Sequence, residues 1–445
     1  LIIISSIIFI NLLSGEKFFH RRKPNIILIS IDTLRADHLN CYGYARKTSP
    51  NINALALKGV LFLNAISLSP KTTPSHMSIM TSLHHDVHQV QMFEDNKPGK
   101  RLNDSIPTLA EILKKSGYVT VAFTAGGHMH ASRGFDKGFD AYAHNNAIEK
   151  VISWLHSNYK KSFFLFFHTY VVHDPYLPPP PYNRMYDSDY SGNIIDSRNR
   201  LIKILGDDKE WQSKHKAFWE SVNKESLRDV DFLKALYDGA IYFMDETIVK
   251  VLIQELKELN IFEDTIIIFT SDHGEAFNEH GNFLHRDIFW ETLHVPLIIV
   301  YPKIIPKNIK IGQLVRLIDI MPTIFDLLGL KKHIFMQGES LLPAIHGINL
   351  DLSCYSSWRN FIGMTTNEYA YIKNKETEYL YDRQKDTVEK YNIIANEPQV
   401  AYELKKKLFE QKQFCEELAP DFTPTEEVLP DQETVKKLKT LGYLQ

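Results

Sequence analysis

The sequence predicts an α/β fold: a large, mostly parallel central sheet with helices on both faces, followed by a small C-terminal subdomain. Three observations predict it. Short β-branched apolar runs recur along the chain, and amphipathic helical stretches lie between them. The chain has 445 residues, 44% hydrophobic and 24% charged, the composition of a globular protein with one large domain and an appendage.

Taken in order, the chain opens on "LIIISSIIFINLLSG", apolar and uncharged, followed by "EKFFHRRK". There is no initiating Met, which reads as a truncated or trimmed chain. Residues 1–22 are expected to be an export signal or a single membrane anchor, the alternative being a buried element of the fold. "NIILISID" (25–32) reads as a buried parallel strand, and "YVTVAFT" (118–124), "SFFLFFHTY" (162–170), "DTIIIFTSD" (264–272) and "VPLIIVYP" (295–302) read the same way. "PTLAEILKKSGY" (107–118) is a helix with a Gly stop after Ser116. "GAIYFMDETIVKVLIQELKELN" (239–260) is the clearest helix, with Ile241, Met244, Ile248, Leu252 and Leu259 on one face.

Residues 179–236 break the pattern with a turn-rich stretch and a charged, aromatic helix-like one. They read as a surface insertion into a domain spanning 23–350, either shaping access to a site or decorating the surface. Residues 351–445 read as strand-poor and charged, a small subdomain packed on the main sheet. A formal net charge of -3 argues against a nucleic-acid partner and against a basic membrane-binding surface. The 3 cysteines, Cys41, Cys354 and Cys415, form no CxxC pair, which argues against a disulfide framework and a zinc knot; one bridge stays open.

Ligands of an open α/β sheet collect at the carboxyl ends of its strands. Two strands here end in acids, Asp32 and Asp272, and His273 follows the second. The three form a candidate divalent-metal site; alone, each acid also reads as a helix cap or turn residue. "SPKTTPSHMSIMTS" (69–82) reads as a helix start, with Pro74 in the first turn and Thr73 able to cap it. Thr72 then lies at a helix N-terminus, where an anion is favoured. Its hydroxyl is a weak nucleophile unless a cation stabilises the alkoxide.

From "PNIILISIDTLRADHLNCYGY" (24–44) through "TSPNINALALKGVLFLNA", "GFDKGFDAY", "HTYVVHDPYLPP", "FTSDHGE" and "HVPLIIVYP" to "DIMPTIFDLLGL", the chain resembles the sulfatase family of the alkaline phosphatase superfamily. The resemblance implies one divalent metal, usually calcium, with manganese or zinc as alternatives. It implies Asp32, Thr72, Asp272 and His273 as ligands, with Thr72 also as nucleophile. His173 matches a histidine that contacts the ester's anionic oxygens, and His285 lies where many family members place a substrate-binding lysine or histidine. His76, His168 and His128 are further candidates for substrate contact; for His168 and His128 the alternative is a satisfied core or loop histidine.

The departures shape the expected reaction. Similar sulfatases carry Cys or Ser in C/S-x-P-x-R, converted to formylglycine; here the motif reads Thr72-Thr73-Pro74-Ser75-His76. Thr33 stands where many have a further ligating Asp, and "AGGHMHASRGF" (125–135) replaces a "GK" motif. The resemblance with these changes implies a metal-dependent hydrolase of sulfuric or phosphoric mono- or diesters, exported or membrane-anchored, acting on an anionic ester of a glycan or lipid. A membrane-anchored phospho-headgroup transferase using the same threonine and a non-catalytic binding protein are the alternatives. A second metal would need another cluster; Asp140 and His144 have a suggestive spacing, but a single metal is expected.

Overall fold

The computed structural model describes residues 22–92, 99–206, 211–423, 427–428, 431–432 and 435–436. The expected signal or anchor falls on 1–22 and so lies, but for Arg22, outside the described residues. Among the described residues no helix is long and apolar enough to cross a membrane.

Strands β1 (Asn25–Ile31), β2 (Val60–Ile66), β3 (Val119–Phe123), β4 (Ala141–Ala143), β5 (Phe163–Thr169), β6 (Thr265–Thr270), β7 (His294–Val300) and β8 (Ile309–Arg316) form one eight-stranded sheet. Its order is β8-β2-β7-β6-β1-β5-β3-β4, and only β7 runs against the others. β1 sits between β5 and β6, parallel to both, with Ser30 level with His168 on one side and Thr270 on the other. The crevice beyond these three strand ends is where side chains of distant segments meet.

β1 shows why the strands are apolar throughout. Ile26 and Leu28 enter the core on one face, and Ile27, Ile29 and Ile31 enter the core on the other. Helix α1 (Thr72–Thr81) and helix α4 (Ile320–Leu327) pack on the first face; α2 (Leu227–Met244) and α3 (Lys250–Glu258) pack on the second. The expected helix over 239–260 is therefore the second half of a longer rod that begins at Leu227. A π turn, Asp245–Val249, joins its two parts.

One reading needs correction, and one alternative for another is removed. Residues 354–382 are not strand-poor: β9 (Cys354–Trp358), β10 (Phe361–Thr365), β11 (Tyr369–Asn374) and β12 (Thr377–Asp382) form an antiparallel sheet in that order. These strands are short and mix charged with aromatic residues, as strands covered on one face do, so no apolar run marks them. The segment 179–236 is not loose decoration either. Ile194, Leu201, Phe218 and Phe232 are buried in the second core. The three cysteines are free and buried, so the open question of a bridge is answered.

Candidate active site

Asp32 is the residue after β1, and its N–H donates to Thr169 O at 3.0 Å. Thr33 then turns the chain with φ 58. Beyond β6 the chain reads Ser271-Asp272-His273-Gly274. A Cβ on Gly274 would stand 2.1 Å from Glu291 O, so only glycine lets this turn press against the 287–294 segment. α1 begins at Thr72 after an extended Lys71, and all of its residues are buried. Thr73 does not cap it: the Thr73 hydroxyl donates to His128 O at 2.9 Å and fixes that loop instead.

These segments meet at one point. Thr72 Oγ1 donates to Asp32 Oδ2 at 3.2 Å and lies 3.5 Å from His273 Nε2. His273 Nε2 is 3.4 Å from Asp272 Oδ2 and 4.0 Å from Asp32 Oδ1. His273 Nδ1 donates to Gly274 O at 3.0 Å, so its Nε2 carries the lone pair and points it between the two carboxylates. Asp32 Oδ1 and Asp272 Oδ2 are buried and accept no hydrogen bond. Asp32, Asp272 and His273 each offer a ligand atom, all within 4.8 Å of one another. Two orphaned carboxylate oxygens and an imidazole lone pair form a donor set that fits a divalent cation.

The electrostatics agree. Burial pushes Asp32 up to about 6, against the pull of His173. Burial and then the neighbouring charge of Asp32 push Asp272 up to about 8. Two carboxylates this deep strain each other unless a positive charge joins them. Burial holds His273 well below its ordinary value, so it is a neutral donor at pH 7.

The remaining candidate histidines take four different places. His168 Nε2 donates to Asp32 Oδ2 at 3.1 Å, which steadies that carboxylate from β5. His76 lies under the site: Nδ1 donates to Thr72 O at 2.9 Å, and Nε2 accepts from Ser30 Oγ at 2.9 Å. With both nitrogens used inside the protein and burial pulling it down to about 4, His76 is a neutral support and not a substrate contact. His173 and His285 line the site: their rings are 5.4 Å apart, and the His285 ring is 4.5 Å from that of His273. His128 is buried in the loop held by Thr73. Asp140 accepts from Thr120 N at 2.9 Å and pairs with Lys114 at 2.7 Å, while His144 stacks on His130; neither reaches Thr72.

A family model described as "Sulfatase" matches residues 24–330, and a second, for the C-terminal part of N-sulphoglucosamine sulphohydrolase, matches 278–414. The chain belongs to the sulfatase family. It is 25% identical to arylsulfatase K of Mus musculus over 86% of this chain and 78% of that one. It is 24% identical to an N-acetylglucosamine-6-O-sulfatase of Bacteroides thetaiotaomicron, over 73% of this chain and 71% of that one. Among solved structures, a phosphonate monoester hydrolase of Agrobacterium radiobacter superposes with a TM-score of 0.69 at 21% identity, covering 88% of this chain and 96% of that one. A protein in complex with its substrate D-glucosamine-2-N,6-O-disulfate superposes at 0.72 and 20% identity, covering 91% and 100%. The expected fold and enzyme class are thereby established: a hydrolase of the sulfatase family with the sulfatase fold.

Within this family member, sequence reasoning missed three contributors. Lys71 is buried immediately before Thr72, with Nζ 5.0 Å from the Trp358 ring centroid. Glu275 is buried with Oε1 3.1 Å from His285 Nδ1. Asp174 accepts from Trp219 Nε1 at 2.8 Å and pairs with His215 at 2.6 Å, so the insertion is tied to the residue after His173. Glu275 stood inside a recognised motif; the contacts of Lys71 and Asp174 come from residues far along the chain, and no local pattern marks them.

Proposed function

We propose that this protein is a metal-dependent ester hydrolase in which Thr72 is the nucleophile. One observation carries the reading: the Thr72 hydroxyl is within 3.5 Å of both Asp32 and His273, inside the group that can hold a cation. Asp32, Asp272 and His273 would hold a divalent ion, calcium by family resemblance, with manganese or zinc admitted by the imidazole donor. Such an ion supplies Lewis-acid stabilisation to an alkoxide and to the anionic ester.

The chain's own residues do the rest. The Thr72 hydroxyl donates a hydrogen bond to Asp32 Oδ2, which takes its proton as the alkoxide forms. The alkoxide attacks sulfur or phosphorus, the ester oxygen leaves with a proton supplied by His173 while the neutral His285 orients the ester, and a threonine ester forms. Water then attacks that ester and restores the hydroxyl. A formylglycine hydrate could instead expel the anion by elimination; a threonine has no such route, which favours a phosphoryl centre at least as much as a sulfuryl one. The names of its relatives support a glycan ester as substrate, with a lipid ester as the alternative. Export or anchoring rests on the composition of residues 1–22.

The test is turnover of p-nitrophenyl sulfate, phosphate, phosphodiester and phenylphosphonate, with calcium, manganese or zinc supplied. In Thr72→Ala, kcat should fall by about four orders of magnitude on whichever ester the wild type cleaves. A loss smaller than about tenfold would remove Thr72 from the nucleophile's role.

A further inference from the structure

Lys71 is the feature the proposed mechanism leaves unused. Its side chain is buried, yet it has no salt bridge and no hydrogen-bond partner to its ammonium among the described residues. Glu275 and then Asp287 attract its charge without forming an ion pair, so an anion arriving beside the threonine would stabilise the buried ammonium further. Its surroundings locate it. The Nζ lies over Trp358, and the guanidinium of Arg359 lies 5.4 Å from the same ring. Its charge is felt by His128, His273 and His285, residues of the site itself. The motif position expected to hold arginine is filled by the neutral, fully hydrogen-bonded His76, and the "GK" lysine is absent.

Resting on the ester-hydrolase reading above, we propose that Lys71 binds a non-bridging oxygen of the substrate's tetrahedral anion, and that Trp358, brought in by the C-terminal sheet, positions it. Lys71 replaces from the nucleophile's own strap the charge that the missing arginine and lysine would have given. A point charge so placed favours a phosphate dianion over a monoanion. Trp358 holds the ammonium through the ring face, a contact that survives Trp→Phe better than Trp→Ala.

The test separates binding from turnover. Metal-loaded protein is titrated calorimetrically with inorganic phosphate and with sulfate, and the aryl esters are assayed in parallel. Lys71→Met should weaken binding of both phosphate and sulfate about tenfold or more, Lys71→Arg should restore most of it, and Trp358→Ala should fall between. Lys216→Met, exposed and distant in sequence, should bind like wild type. If Lys71→Met does not fold, Lys71→Arg and Trp358→Ala still read the same dependence. Wild-type affinity for phosphate in a folded Lys71→Met, or no phosphate binding by the wild type, overturns the proposal. Lys71-dependent binding without turnover of any ester would sink the hydrolase reading and leave this one standing. Turnover with KM unchanged in Lys71→Met would do the reverse.

Discussion

Thr33 holds φ at 58, a left-handed conformation that a β-branched residue adopts only under constraint. Its partners supply that constraint. Tyr237 OH donates to Thr33 O at 2.7 Å, Thr33 N donates to Asp272 Oδ1 at 3.4 Å, and Thr33 Oγ1 donates to Asp32 O at 2.8 Å. The strained turn aims Asp32 at Thr72 and ties it to Asp272. It also turns the Thr33 hydroxyl away from the cation group, leaving two carboxylates and one imidazole there. A metal bound at this site only in the folded state stabilises it through these three. At one hundred times its dissociation constant an ion adds about 2.7 kcal/mol, or about 3 °C in Tm for a chain this long. Scanning calorimetry with calcium or manganese should show that rise in the wild type and none in Asp272→Asn. An equal rise in the variant would place the ion elsewhere.

Between elements, single side chains act as staples. The π turn in the long rod lets Asp245 accept from Asn51 N and Ile52 N, both at 2.8 Å, at the start of the helix Pro50–Ala56. Asp174 staples the insertion helix Trp211–Glu220 beside His173. A third staple joins the segment after Gly274 to the C-terminal subdomain. His280 Nδ1 pairs with Glu291 at 2.7 Å and its Nε2 donates to Glu389 O at 2.8 Å. Burial opposes the imidazolium, but the Glu291 hydrogen bond outweighs it and raises His280 from 6.5 to about 9. The folded state thus keeps a proton that the unfolded chain releases. That stability is full below pH 6.5 and is lost as pH rises through about 9. Glu389, raised to about 8 by burial and by Glu291, acts in the same sense. Tm should decline between pH 6.5 and 9 and decline less steeply in His280→Gln; identical slopes in both proteins would exclude the staple.

At the scale of the molecule, the C-terminal subdomain shares the main core. Leu404, Leu408 and Cys415 of the helix Pro398–Leu418 are buried in the same cluster as Ile26 and Leu28 of β1. A third cluster joins Leu68 and Phe289 of the large domain to Cys354, Ile372 and Tyr381 of the small sheet. The same docking brings Trp358 to Lys71. Leu408→Ala should cost about 3 kcal/mol and move the midpoint of one cooperative urea transition of the whole chain. An early separate phase in that variant, leaving the large domain's midpoint in place, would show the subdomain to be an independent unit.

The α/β class, the strands that become β1, β3, β5, β6 and β7, the family, and the trio Asp32, Asp272 and His273 beside Thr72 are all legible along the chain. Each of these is written locally: a fully buried parallel strand is a continuous apolar run, and an acid at its end marks the crevice. That His76 supports the site from below, that His168 steadies Asp32, and that the insertion reaches Asp174 emerge from the folded arrangement alone. It alone revealed the antiparallel C-terminal sheet and the approach of Trp358 to Lys71. Residue 358 lies far along the chain from residue 71, and no periodicity or spacing records such a contact. It follows from how the small sheet packs on the large one, and packing is a property of the whole folded chain.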